Sequence, residues 1–169
     1  MEEYKNKGYG QNVLGVSEGT FYSFIYYGKL GELVFRDLLK AESIQNECND
    51  ILVPFPGKFK RNGSDFVLTG TNETIYVKTV EASYKTRLLV REDQFRAKQH
   101  DLYVGQRTID GANVECWGYV TKEELSEIVP TEKFGFGPCR FWSLRDLHPI
   151  EDFINKAKKG ESCSGTHLE

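Results

Sequence analysis

The sequence contains no long apolar run, and this absence excludes one broad class of protein. None of its 169 residues lies in a hydrophobic stretch that approaches the ~20 residues needed to cross a bilayer. The N-terminal segment Met1–Lys5 also lacks the apolar centre of a secretory signal peptide. We therefore expect a cytoplasmic protein that does not associate with membranes.

The residues that build zinc or iron–sulfur sites are scarce and badly spaced. The chain has four cysteines and no CxxC pair among them, and its three histidines show no metal-ligand spacing. Zinc and iron–sulfur sites usually draw two ligands from one short loop, so the spacing argues against both kinds of centre. We expect the four thiols to be reduced and mostly buried.

The charge is slightly negative overall but unevenly distributed. The net charge is −3, yet six basic residues against three acidic ones lie between Lys78 and Lys98. Phosphate contacts require local positive charge rather than a basic total. This stretch therefore predicts a DNA-binding face, with an ordinary solvated face as the alternative. The residues of the predicted face are Lys85, Arg87, Arg91, Arg96 and Lys98.

The composition favours one globular domain. Hydrophobic residues make up 39% of the chain and charged residues 28%, which is enough apolar material for a single buried core. We divide the chain into an aromatic-rich N-terminal segment (1–28), a core domain (29–160) and a flexible tail (161–169) that can include a cloning remnant.

Hydrophobic periodicity predicts an α/β fold with a mixed central β-sheet flanked by helices. Apolar residues at four-residue steps indicate a helix over Leu30–Ala41. Later segments rich in β-branched and aromatic residues indicate strands. The elements predicted after the first helix are the strand Ile51–Phe55, the hairpin of Ser64–Leu68 with Thr74–Val80, the helix Glu92–His100, the strands Leu102–Val104 and Val114–Val120, a helix that begins after Thr121, and a final helix that ends near Lys159.

A lysine in the middle of a predicted strand is the most informative single residue. Lys78 lies in Thr74–Val80, where it must either extend to water or serve a site, and Asp65 opens the partner strand of the hairpin. A carboxylate to bind a metal and a lysine to stabilise charge on a phosphate are the minimum equipment of a metal-dependent nuclease. The structural alternative is that Asp65 belongs to a turn and Lys78 is merely exposed.

Several short motifs then occur in a definite order. They are Gly31-Glu32 at a helix start, Asp65 opening a strand, Val77-Lys78 in the next strand, Gln94 in the following helix, and the segments Asp101–Val104 and Trp117–Thr121. This order resembles the PD-(D/E)XK nuclease superfamily over roughly residues 28–128. The resemblance implies a restriction-endonuclease-like fold.

The resemblance also implies a role for each matching residue. Asp65 corresponds to the strand acid that binds Mg²⁺, and Val77 to the residue whose main-chain carbonyl is a further ligand. Lys78 corresponds to the lysine that positions or activates the attacking water. Glu32 corresponds to the helical glutamate that often completes the metal shell. The implied cofactor is Mg²⁺ or Mn²⁺, and the implied catalytic residues are Lys78, Asp65 and Glu32.

Tyr76 departs from the superfamily pattern, which has an acid two residues before the lysine. A phenol titrates near pH ~10 and cannot replace an anionic ligand at neutral pH. Glu73 and Glu81 have the opposite strand parity to Lys78, so neither is a simple substitute. We expect Tyr76 to lie close to Asp65 and Lys78, with its ring shielding the site or its hydroxyl bonded there.

Three functions are therefore open. The first is a metal-dependent nuclease that hydrolyses phosphodiester bonds in DNA. The second is a catalytically impaired nuclease-like domain that binds DNA or a protein partner without cleavage. The third is a structural or interaction domain, which the tyrosine-rich N-terminal segment would serve. Because restriction-like enzymes cut two strands with two copies of one site, a homodimer is also expected.

Overall fold

The computed structural model describes residues 18–48, 51, 63–81, 86–131 and 137–165, which form a mixed α/β fold with a mixed central sheet. The fold class is confirmed at that level. The helices are α1 (Glu18–Ala41), α2 (Glu92–Ala97), α3 (Lys122–Glu127) and α4 (Ile150–Lys159). The strands are β1 (Asn46–Cys48), β2 (Phe66–Leu68), β3 (Thr74–Val80), β4 (Arg87–Arg91), β5 (Leu102–Thr108), β6 (Val114–Thr121), β7 (Cys139–Ser143) and β8 (His148–Pro149).

The larger sheet has the strand order β1-β2-β3-β5-β6-β8, and β4 pairs with β7 in a separate two-stranded ribbon. Strands β1, β2 and β3 form an antiparallel meander, whereas β3 and β5 run parallel. Parallel neighbours need a crossover connection, and this one contains β4 and α2. Strand β6 then returns antiparallel to β5.

The two faces of the sheet carry separate apolar clusters. On one face, Phe35 of α1 and Phe153 of α4 pack against the side of β3 that presents Ile75 and Val77. The other face is covered by the ribbon and its neighbours, and Tyr76 packs there. Because side chains alternate along a strand, Lys78 shares the face of Tyr76.

Helix α1 begins at Glu18 rather than at the predicted Leu30, so Gly31 lies inside a helix and not at its start. The absence of a side chain at Gly31 is required by packing. A Cβ atom there would lie 1.8 Å from Thr79 Oγ1 and 2.4 Å from Gln106 Oε1. The helix therefore crosses β3 and β5 in close contact at this point. The predicted boundary after residue 28 falls within this single helix.

The ribbon of β4 and β7 was not predicted. The predicted elements include no strand between Val80 and Glu92, but Arg87–Arg91 pairs with Cys139–Ser143 in an antiparallel register. The predicted strand Ile51–Phe55 lies outside the described residues except for Ile51. The later predictions for α3 and α4 are confirmed, and Thr121 with Glu124 forms a capping box at the start of α3.

The residues after α4 return to the core at Cys163 and Ser164. Cys163 is buried, and the Glu73 carboxylate accepts hydrogen bonds from the backbone N–H groups of Cys163 (2.8 Å) and Ser164 (2.9 Å). The first part of the predicted flexible tail is thus held in place. Within the described ranges, we find no helix whose length and hydrophobicity together would let it span a bilayer.

Candidate metal-binding active site

The site is organised by the point at which the β2–β3 ladder ends. The last Cα pair at this end is Phe66 with Ile75, and one residue earlier the backbone N–H of Asp65 donates to the Ile75 carbonyl at 2.9 Å. Beyond it, the side chain of Asp65 replaces the missing strand partner. Its Oδ2 accepts a 2.8 Å hydrogen bond from the backbone N–H of Val77.

This hydrogen bond also fixes the direction of the Val77 carbonyl. The N–H and C=O groups of one strand residue point towards the same neighbouring strand. Because the Val77 N–H points to Asp65, its carbonyl oxygen points to the same side of β3. The predicted carboxylate and the predicted main-chain ligand are therefore adjacent.

Glu32 approaches Asp65 from α1. The close contact of Gly31 with Thr79 brings the next residue of the helix over β3, and the Glu32 side chain is only 15% exposed. Its charge acts on Asp65, because Glu32 is among the groups that raise the pKa of the Asp65 carboxyl. Two predicted ligands that are 33 positions apart in sequence therefore lie within electrostatic range of each other.

The two carboxyl groups are electrostatically unfavourable neighbours. Burial, and after it the charge of Glu32, raises the pKa of Asp65 to about 7 against the opposing hydrogen bond from Val77. Burial likewise raises the pKa of Glu32, although hydrogen bonding to Lys29 opposes the shift. Two carboxylates with raised pKa values beside a backbone carbonyl form an oxygen donor set that a hard divalent cation would stabilise.

Lys78 reaches the site from the opposite face of the sheet. Its positive charge lowers the pKa of Asp65, which places the two groups within electrostatic range. Its Nζ donates a 3.4 Å hydrogen bond to the Tyr76 hydroxyl and lies 4.6 Å from the centre of the Tyr76 ring. The expected proximity of Tyr76 to Lys78 is confirmed, whereas its expected proximity to Asp65 stays a prediction. Tyr76 thus holds the lysine without contributing a negative charge.

His100 supports Tyr76 from the other side, and the sequence analysis missed it. The two rings stack with centroids 4.9 Å apart and an interplanar angle of 13°. His100 is 3% exposed, and its Nδ1 has no hydrogen-bond partner among the described residues. Burial and the charge of Lys98 lower its pKa to about 4, so the imidazole is neutral. No local sequence pattern signals this stack, because β3 meets His100 only through tertiary packing.

One member of the predicted DNA-binding face, Lys98, lies beside the turn that precedes Asp65. A Cβ atom on Gly63 would lie 2.8 Å from Lys98 Nζ, so the ammonium lies over the turn that precedes Asp65. The charges of Lys98 and Lys78 both act on His100. These two lysines therefore flank the stacked pair of His100 and Tyr76.

The other described residues of the predicted DNA-binding face make contacts within the protein. Arg87 is exposed and stacks 5.1 Å from the centre of the Phe141 ring, while Lys85 lies outside the described residues. Arg91 bonds Asp93 and Arg96 bonds Glu92, so intramolecular carboxylates already engage both guanidinium groups. Only Arg87 and Lys98 of the set are exposed without a carboxylate among their described contacts.

Neither nearby helix nor strand supplies a third acidic ligand. Glu73 accepts hydrogen bonds from the residues after α4 instead. Gln94, which the superfamily resemblance places next to the site, has a buried side-chain oxygen without a hydrogen-bond partner in the described structure. Across the described ranges, no three His, Cys, Asp or Glu side chains form a metal-binding group. A cation here would therefore rely on two carboxylates, one carbonyl and water.

The sequence matches no protein-family model, and no curated protein is significantly similar to it.

Proposed function

We propose that this protein is a metal-dependent nuclease of the PD-(D/E)XK type, with a restriction-endonuclease-like fold, that hydrolyses phosphodiester bonds in DNA. The observation that carries the proposal is the convergence at the end of the β2–β3 ladder. There Asp65 bonds the Val77 backbone, Glu32 arrives from α1, and Lys78 lies within electrostatic range of Asp65. All four residues were predicted from their order in the sequence.

The donor set fits one Mg²⁺ or Mn²⁺ ion. Asp65 and Glu32 would supply anionic oxygens and Val77 a neutral one, and Mg²⁺ usually binds one or two carboxylates and keeps several waters. A bound ion would act as a Lewis acid on a phosphate oxygen and would promote ionisation of the attacking water. Tyr76 stands where a further acid would be needed for a second ion.

The residues that do not bind the ion can act on the substrate or position those that do. Lys78 can donate a hydrogen bond to a phosphate oxygen as negative charge grows in the transition state. Tyr76 orients Lys78 through its hydroxyl and the face of its ring, and His100 keeps that ring in place. Lys98 adds a second positive charge beside the turn that leads to Asp65.

A second candidate function follows from Tyr76. Because Lys78 is already engaged by a neutral phenol, the site can bind DNA through its lysines without completing the catalytic machinery. This is the catalytically impaired domain, and a protein partner in place of DNA belongs to the same alternative. The expected homodimer stays a prediction under both functions.

A plasmid-nicking assay separates these functions. The wild type should nick supercoiled DNA only when Mn²⁺ or Mg²⁺ is present. Lys78→Ala should lower the rate by about 100-fold or more, the usual cost of removing a group that stabilises transition-state charge. Lys159→Ala, an exposed lysine at the end of α4, is the matched control. Salt-dependent duplex binding without nicking in the wild type would favour the impaired domain.

A further inference from the structure

Lys29 occupies the carboxylate that α1 contributes to the site. Its Nζ donates hydrogen bonds to both Glu32 oxygens, at 3.0 Å to Oε1 and 2.8 Å to Oε2. The two residues are three positions apart, so they lie on the same side of the helix. Both oxygens that Glu32 could offer to a cation are therefore engaged by an ammonium group.

The pair differs from an ordinary surface ion pair. Exposed pairs contribute little because water and salt screen them, as expected for Arg36 with Asp37, where the side chains are 41% and 65% exposed. Lys29 and Glu32 are only 31% and 15% exposed. Moreover, the Lys29 charge also acts on Asp65, whose pKa it lowers. One ammonium therefore compensates both acidic groups of the site.

We propose that Lys29 is a built-in counter-ion that must leave Glu32 before a divalent cation can bind, and that it thereby limits metal affinity. The inference rests on the proposed function, because it requires a cation between Asp65 and Glu32. Metal binding would break both Lys29 hydrogen bonds and would bring a divalent ion close to a positive charge. Both effects oppose binding.

The test is Mn²⁺ affinity measured by calorimetry on the protein without nucleic acid. Lys29→Met keeps a long, helix-favouring side chain but removes the charge, and it should tighten Mn²⁺ binding by about tenfold. Lys29→Arg retains the charge and should bind Mn²⁺ as the wild type does. Lys40→Met removes the same charge from an exposed position in the last turn of α1, and it should change the affinity less than about twofold.

Asp65→Ala identifies the site in the same series, and thermal melting verifies that each variant is folded. If the wild type and Lys29→Met show the same Asp65-dependent affinity, or if Lys29→Met binds more weakly, the counter-ion inference is overturned and the metal site stands. If neither protein shows Asp65-dependent binding, the proposed metal site fails and the inference fails with it. Tighter Asp65-dependent binding by Lys29→Met alone supports the inference.

Discussion

Two regions of this molecule place carboxylates beside cations, and their electrostatics are opposite. At Glu92, the guanidinium groups of Arg140 and Arg96 contact both carboxylate oxygens at 2.6–3.1 Å. These hydrogen bonds, Arg140 first, hold the pKa of Glu92 below its ordinary value. At Asp65, burial and the charge of Glu32 raise the pKa to about 7 despite Lys29 and Lys78 nearby.

The difference separates a structural network from a candidate functional site. Arg140 also donates to the carbonyls of Leu125, Ser126 and Ile128, so the Glu92 network fastens α3 to the ribbon, and both oxygens of its one carboxylate are bonded to guanidinium groups. At the site, by contrast, Lys29 bonds Glu32, and Asp65 accepts its described hydrogen bond from the Val77 backbone rather than from a cation. Strongly shifted pKa values of this kind concentrate where proteins bind cations or perform catalysis.

The largest expected effect is a loss of folding stability when Arg140 is removed from the Glu92 network. Arg140→Met should lower the free energy of unfolding by about 3–5 kcal/mol, because Glu92 then keeps only the exposed Arg96 as a donor and three backbone carbonyls lose theirs. Arg145→Met, at an exposed position in the same part of the chain, should change it by less than about 0.5 kcal/mol. Urea unfolding measures both. A loss below about 1 kcal/mol at Arg140 would mean that the network is not a structural clamp.

The next effect concerns the neutral imidazole behind Tyr76. The pKa of His100 is lowered from 6.5 to about 4, so the folded state favours the uncharged ring. The stability that this provides is complete above pH 6.5 and is lost as the pH falls from 6.5 towards 4. Between pH 7 and pH 4, the wild type should lose up to about 3 kcal/mol relative to His100→Phe, which retains an aromatic ring against Tyr76.

Chemical unfolding of both proteins across this pH range measures the difference. A constant difference in unfolding free energy would show that His100 titrates normally and is not held neutral between Lys78 and Lys98.

A smaller effect, on the affinity for Mn²⁺, is expected from substitutions at Tyr76. Tyr76→Glu adds a carboxylate next to Lys78 and should tighten Mn²⁺ binding by about tenfold, measured by calorimetry. Tyr76→Phe keeps the ring beside His100 but removes the hydroxyl that accepts from Lys78, and it should leave the metal affinity unchanged. If Tyr76→Glu changes neither affinity nor nicking, Tyr76 is only a packing residue and the nuclease proposal should be abandoned.

The parts of the site that could be predicted are those encoded locally. Asp65, Val77 and Lys78 belong to one predicted hairpin, and the two-residue repeat of its second strand indicates which side chains share a face. Glu32 was placed at the edge of the core by helical periodicity. The periodicities of the helix (3.6 residues) and of the strand (two residues) are sufficient for these predictions.

The parts that were missed depend on contacts distant in sequence. The ribbon pairs residues 87–91 with 139–143, and Arg87–Arg91 lacks the alternation that would have indicated a strand. His100 meets Tyr76 only because β3 and β5 are neighbours. Helix α1 was begun too late because the apolar four-residue repeat was counted only from Leu30, whereas the helix begins at Glu18 and Gly31 permits its close packing on Thr79.

Whether Asp65 binds a divalent cation is tested most directly by comparing the wild type with Asp65→Asn at pH 8, where Asp65 is ionised. Asparagine can still accept the Val77 hydrogen bond but removes the repulsion with Glu32, so without metal the variant should melt at or above the temperature of the wild type. Saturating Mn²⁺ should stabilise the wild type, by about 2.7 kcal/mol at a hundredfold excess over Kd, and leave the variant nearly unchanged. We therefore predict that the order of the two melting temperatures reverses when Mn²⁺ is added. An equal effect of Mn²⁺ on both proteins, or none on either, would contradict it.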